Sequence, residues 1–276
     1  MRNEEGLFDM TIRGVAGATI LLCASTAGFA QDGNEGEKPK RDLLVTVGAG
    51  AQAFARFPGD DKLGIRPMPI FSFRKEGDKL PVESPDEGIG FSLIGEEGGI
   101  EVGPAVQLQG KRRPKDVGAA VGKVGFTVEA GAFVQAYLTP NFRLRAEGRK
   151  GLGGHEGWTG DISADLVFGD REATVATIGP RVRVSDGRYN RAYFGVTPVV
   201  ATATGLAAYT PKGGIRAVGV IAGITHQFSR AWGMYGYAGY DRLVGDAADS
   251  PIVRVHGSRH QPSVGLGLTY TFNVKR

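Results

Sequence analysis

From Ser263 to Phe272 the chain alternates two kinds of side chain without a break. Val264, Leu266, Leu268, Tyr270 and Phe272 fall on one face, and Ser263, Gly265, Gly267, Thr269 and Thr271 fall on the other. A period of two belongs to extended strands. A greasy face opposite a small or polar one is what a strand between lipid and a wet interior requires. The same pattern recurs upstream. Val45, Val47, Ala49, Ala51 and Ala53 alternate with Thr46, Gly48, Gly50 and Gln52, and Phe126, Val128, Ala130, Ala132, Val134 and Ala136 alternate with Thr127, Glu129, Gly131 and Gln135.

Three neighbouring stretches set full charges opposite an apolar face. Phe142, Leu144 and Ala146 oppose Arg143, Arg145, Glu147 and Arg149; Ile162, Ala164, Leu166 and Phe168 oppose Asp161, Ser163 and Asp165; Ile178, Pro180, Val182 and Val184 oppose Arg181, Arg183 and Ser185. A charge on a lipid face costs about 2–4 kcal/mol at the bilayer midplane, so these side chains are expected to point into the interior of a barrel. An open soluble sheet with one solvated face gives the same alternation; the number of strands and the secretion signal described below decide for the barrel. Glu129, Arg143, Arg145, Glu147, Arg149, Asp161, Asp165, Arg181 and Arg183 are therefore read as lumen-lining. Their use stays open between a charge-selective pore and a salt-bridged filling of a narrow barrel.

Further strands are expected over 65–76, 88–94, 100–110, 191–200, 214–228 and 232–243, which brings the total to about twelve. Pro67 and Pro69, which lack a ladder donor, suit a strand start near the rim. Residues 75–88 read as a charged loop, Thr139-Pro140-Asn141 and Gly169-Asp170 as tight turns, and the stretch after Asp241 as a long polar loop. Trp158, Tyr189, Tyr193, Tyr209, Trp232, Tyr235 and Tyr237 lie near expected strand ends, where aromatic girdles sit. With 44 glycines among 276 residues, the composition favours closely apposed strands over helices.

No stretch after the N-terminus approaches the roughly 20 apolar residues of a spanning helix. Arg13, the apolar run from Val15 to Phe29 and the small residues Gly28 and Ala30 fit a signal peptide over residues 1–30, cleaved after Ala30. The one cysteine, Cys23, leaves with it, so no disulfide is expected. Residues 31–41 are a flexible polar leader and 42–276 the barrel. The net charge of +4 is scattered over short clusters such as Lys111, Arg112 and Arg113, with no basic run interleaved with aromatics, and nucleic acid is not an expected partner.

Two constellations carry groups capable of chemistry. Asp241, Asp246 and Asp249 with Ser250 offer oxygen ligands, but not at EF-hand spacing, and Asp/Gly/Pro chemistry explains a folded loop without a metal. His256, Ser258 and His260 suggest a serine hydrolase, but a nucleophile needs a base, an orienting group and an oxyanion site, and no esterase motif accompanies them. No catalytic residue, cofactor or metal is expected.

The run from Tyr240 to Val253, with Gly245, Asp246, Asp249, Ser250 and Pro251 as its signature, resembles the hallmark of the MipA/OmpV family. Gly257-Ser258 with Gln261 and the closing Gly265-Leu266-Gly267-Leu268-Thr269-Tyr270 are similar to that family too, as are Pro67 and Pro69, Gly103-Pro104, the Arg191–Val196 run and Tyr209 with Gly213-Gly214. Asn273-Val274-Lys275-Arg276 depart from it, since such barrels commonly end on the aromatic residue. The resemblance implies a closed antiparallel transmembrane β-barrel, all-β, in the outer membrane of a Gram-negative bacterium. It implies a non-enzymatic scaffold that joins a lytic transglycosylase to a bifunctional penicillin-binding protein in peptidoglycan remodelling, with outer-membrane lipid around it. Porin-like channels and surface adhesins are also known in such a family, and remain the alternative.

Overall fold

In the computed structural model, which describes residues 41–95 and 98–275, the alternating stretches form one strongly curled antiparallel sheet. The secretion signal and nearly all of the polar leader lie outside the described residues. The strands are β1 (Leu43–Ala55), β2 (Leu63–Lys75), β3 (Ile89–Gly90), β4 (Ile94–Gly95), β5 (Ile100–Gln109), β6 (Thr127–Thr139), β7 (Phe142–Leu152), β8 (Trp158–Phe168), β9 (Thr174–Ser185), β10 (Gly214–Gln227), β11 (Trp232–Leu243) and β12 (His260–Val274). Pairing runs in the order β2-β1-β12-β11-β10-β9-β8-β7-β6-β5-β3, with β4 also on β5. The sheet thus begins at β2 and ends at β3, and no pairing joins these two ends among the described residues.

The period-two pattern sorts the faces. Outward, Phe71, Ile162, Leu166, Leu266 and Leu268 are exposed, while inward neighbours such as Arg143, Asp165 and Thr269 are buried. Where β1 meets β12 the inner face carries glycine on both strands. A Cβ on Gly50 would sit 2.2 Å from the Leu266 carbonyl oxygen, so the two strands approach as closely as they do only because no side chain intervenes.

Several expectations need correction. The count of twelve is reached by another route: the strand expected at 88–94 is two short strands, and the one expected at 191–200 does not exist. That region forms α2 (Gly187–Phe194) and α3 (Pro198–Thr204). Asp186 and Thr197 act as N-caps, accepting from Tyr189 N and Val200 N, and Pro198 opens α3. Tyr189 and Tyr193, four apart, share the buried helix face. The polar loop after Asp241 is also helical, as α4 (Gly245–Asp249) and α5 (Pro251–His256). Pro67 and Pro69 stand inside β2 rather than at its start, opposite Ala51 and Ala49. Among the described residues β2 pairs only with β1, and the edge of a sheet is where prolines are tolerated.

Connections at the two ends of the strands differ. One end has short turns at 140–141, 169–173 and 228–231. The other carries the 110–126 connection, with α1 (Pro114–Val117), and both helical pairs. These pack into a cap whose core includes Phe57, Val121, Tyr193, Phe194, Leu243 and Ile252. Of the aromatics expected as girdles, Trp158 and Trp232 face outward, each 54% exposed, one near each end of the strands. Tyr189 and Tyr193 belong to the cap core and Tyr209 packs against it. Tyr235 and Tyr237 line the interior, where Tyr237 donates to Gln52 (2.9 Å).

Candidate functional site

The charged strands set their inward side chains at registered heights. Arg143 stands opposite Asp165, Glu147 opposite Asp161, and Asp161 in turn opposite Arg183. The register therefore pairs charges before any side chain is considered. Arg143 Nη2 lies 2.9 Å from Asp165 Oδ2, and Arg181 Nη1 lies 2.8 Å from Asp165 Oδ1. Arg145 Nη2 reaches Glu147 at 3.0 Å and its guanidinium stacks 3.7 Å above the Phe133 ring. Arg149 donates to Glu129 (3.0 Å) and to Asp161 (2.5 Å), and also bonds Glu147. Arg183 spans Asp161 (3.1 Å) and Asp241 of β11 (2.9 Å). All nine charged residues singled out from the sequence lie in this one connected network on the inner face.

The network has members that sequence reasoning misses. Residues 80–87, within the 75–88 stretch expected as a charged loop, turn inward and lie against β7, β8 and β9. Arg143 Nη1 donates to the Val82 carbonyl (2.8 Å) and Nη2 to Ser84 Oγ (3.0 Å), and Arg143 also bonds Glu87. Asp86 accepts from Arg181 Nε (2.9 Å) and Arg183 Nη2 (3.0 Å). Leu80 and Val82 bury themselves with Val167 and Val175. The available signal is the company that Asp86 and Glu87 keep with apolar Leu80 and Val82, an alternation that a solvated loop has no use for. Buried His155, between β7 and β8, holds Glu129 from the cap side at 3.0 Å.

At the capped end the signature residues act on the backbone. Gly245 takes φ +52° to start α4. Ser250 is fully buried; its Oγ accepts from Ile252 N (3.2 Å) and donates to the Phe194 carbonyl (2.7 Å), tying α5 to α2. Pro251 opens α5. Asp246 accepts from Lys212 N (2.6 Å), while Asp249 pairs with Arg259 at 3.2 Å. With Asp241 turned inward to Arg183, the three carboxylates that could have served as oxygen ligands are apart, and no group of three metal-type ligands occurs among the described residues. Ser258 Oγ accepts from His260 N (3.0 Å), and His260 Nδ1 faces Tyr240 Oη (2.5 Å). Among the described residues no hydrogen bond joins Ser258 to His256.

Arg112, from one of the short basic clusters, is buried in the cap and donates to the carbonyls of Tyr193, Ala192 (3.0 Å) and Gly122 (2.7 Å). Two of these oxygens end α2, where a cation is favoured. Burial without a carboxylate partner pulls its guanidinium down to about 10.

The arrangement fills and fastens. On one side the interior is occupied by an inward segment clasped by arginines, and one end carries an apolar cap. The family described as MltA-interacting protein MipA matches residues 47–272. No match was found among curated proteins. Among solved structures, the translocator domain of the autotransporter NalP from Neisseria meningitidis is 12% identical, covering 86% of this chain and 90% of its own, at a TM-score of 0.36. OmpT, an outer membrane protein of Vibrio cholerae, is 8% identical over 84% of this chain and 97% of its own, at 0.36. The Pseudomonas putida toluene transporter TodX is 9% identical over 87% and 91%, at 0.34.

Proposed function

The chain belongs to the MltA-interacting protein MipA family and is an outer-membrane protein of β-barrel type, and on that premise we propose that it is a non-enzymatic scaffold for peptidoglycan-remodelling enzymes. The family match is the observation that carries this reading. A lytic transglycosylase of the MltA kind is its first partner and a bifunctional penicillin-binding protein its second. The occupied interior supports it: a barrel whose lumen holds residues 80–87 and whose end holds a packed cap is poorly built for bulk diffusion.

We also infer that the barrel closes between β2 and the β3–β5 edge, because lipid leaves no sheet edge unpaired. Short turns of such barrels face the periplasm and long connections face outward. The helical cap is then extracellular, and the turns at 140–141, 169–173 and 228–231 face the periplasmic enzymes.

The test is recovery of partners from detergent-solubilised envelopes with the full chain as bait and mass spectrometry as readout. A lytic transglycosylase and a penicillin-binding protein should be retained, and lost when the three short turns are replaced by Gly/Ser. A bait that returns alone, whatever its turns, sinks the scaffold reading. The channel alternative draws on one observation, an open cavity beside the inward segment, and predicts a charge-selective current that changes with Arg143→Glu or Arg181→Glu.

A further inference from the structure

The interior is unequal. On the β6–β9 side, cations and carboxylates are matched. Across from it, between residues 80–85 and the wall formed by β1, β2 and β10–β12, a cavity of about 270 Å³ stays open. Two charges of opposite sign line it, Arg74 of β2 and Glu83 of the inward segment. Neither has an ion-pair partner among the described residues. Arg74 Nε is shielded from solvent and makes no hydrogen bond. Glu83 has one long contact, from Ser72 Oγ at 3.5 Å. Asp78, in the turn beside Arg74, is taken by Arg41 at 2.5 Å.

A second set of groups on the same wall is also unmatched. Thr269 is 2% exposed, yet its Oγ1 has no partner, and Gln227 Oε1 is likewise shielded and free. Buried polar atoms are nearly always paired, since leaving one bare costs about 1–3 kcal/mol. The inner charges of β7–β9 are paired through several contacts each, whereas here a guanidinium nitrogen, a hydroxyl and an amide oxygen are shielded and unpartnered beside the lone carboxylate of Glu83, and together they mark a place completed from outside. Tyr235, Tyr237 and Met68 supply the remaining wall, a surface for the body of an organic ligand.

We propose that this cavity binds a small zwitterion, an amino acid or dipeptide, with its carboxylate on Arg74, its ammonium on Glu83 and its body along Tyr235 and Tyr237. Arginine is suited to the carboxylate because its guanidinium donates two parallel hydrogen bonds. The two charges make no pair with each other, so a ligand carrying both signs satisfies both without leaving either uncompensated. Ser72, Arg74 and Gln227 lie within three residues of the short-turn ends of their strands, which puts the cavity at that end and away from the cap. The site does not depend on the scaffold reading, since it is assayed on the purified chain alone.

Calorimetric titration of the full chain in detergent decides it. L-alanyl-L-alanine is the probe, alongside its N-acetyl form, its C-terminal amide and the doubly blocked N-acetyl amide. The dipeptide is expected to bind, with roughly tenfold loss on blocking either end. Arg74→Gln and Glu83→Gln should each weaken the dipeptide roughly tenfold, and each should become indifferent to the block at the end it contacts. Absence of dipeptide binding overturns the proposal, as does equal binding of the doubly blocked form. Should either variant fail to fold, the blocked-ligand series on the unaltered chain still decides between binding through both charges and no such site.

Discussion

Arg143 of β7 holds the Val82 carbonyl at 2.8 Å while its second nitrogen pairs with Asp165 of β8 at 2.9 Å. One side chain thus fastens the inward segment to the sheet and neutralises a carboxylate that has no exposure to water. Arg143→Ala would strip both, leaving Asp165 and Glu87 short of a cation in a buried setting. Removing one partner of a buried pair costs about 3–5 kcal/mol. The urea midpoint of the detergent-folded protein should fall accordingly, and Arg143→Lys should recover only part of the loss, because an ammonium cannot span the same partners. An unchanged midpoint would mean that the network is not built as described.

Glu87 pairs with Arg143 from the inward segment, and Asp86 with Arg181 and Arg183. Asp86→Ala with Glu87→Ala removes the two carboxylates that anchor the segment and the acceptor that Arg181 and Arg183 share. The segment is then expected to leave the interior, and single-channel recording in planar bilayers should show current well above the low level of the unaltered protein. If the double variant conducts no more than its parent, the segment is held mainly by Leu80, Val82 and the bonds from Arg143 to Val82 and Ser84 rather than by its own carboxylates.

The outer face offers a cleaner energetic comparison. Leu266 is 60% exposed and sits mid-strand in β12, whereas Val274 ends the same strand. Leu266→Arg should destabilise the vesicle-inserted protein by about 2–4 kcal/mol and Val274→Arg by about 0–1 kcal/mol, because the cost of a charge depends on depth. Equal costs in a urea titration from vesicles would contradict a lipid-facing band centred on Leu266.

What is legible in the chain follows from periodicity. The long strands and the sidedness of Arg143, Asp161 and Arg181 can be read off a repeat of two, since one register shift would expose every charge. Periodicity says nothing about where a connection goes. Residues 75–88 carry charges like any solvated loop, and the arginines that face residues 80–87, more than 50 residues away, together with Val167 and Val175 draw that part inside. The misreading of Arg191–Val200 as a strand has a local cause. Tyr193 and Val196 fit an alternating pattern only loosely, while the caps at Asp186 and Thr197 and the Tyr189/Tyr193 spacing fit helices and outweigh it. The burial of Arg112 is not legible in the sequence because a cation in a short basic cluster is ordinarily solvated; here three carbonyls of the cap replace water.

The turn after β8 makes a prediction about pH. Asp170 Oδ1 accepts from the backbone N–H groups of Thr174 (2.9 Å), Ala173 (3.0 Å) and Glu172 (2.9 Å). These three donors, that of Thr174 foremost, hold its carboxyl below the usual carboxylate range. The folded turn therefore prefers the charged form more strongly than the unfolded chain does. Its stabilisation is complete above the unfolded value of about 3.9 and fades as pH falls through the lower folded value. Amide hydrogen exchange at residues 172–174 should accelerate across that acid window beyond the trend of neighbouring turns. Asp170→Asn, with a neutral acceptor, should exchange faster at neutral pH and lose the acid-dependent step. A carboxyl titrating at its ordinary value would show instead that the three donors point elsewhere in solution.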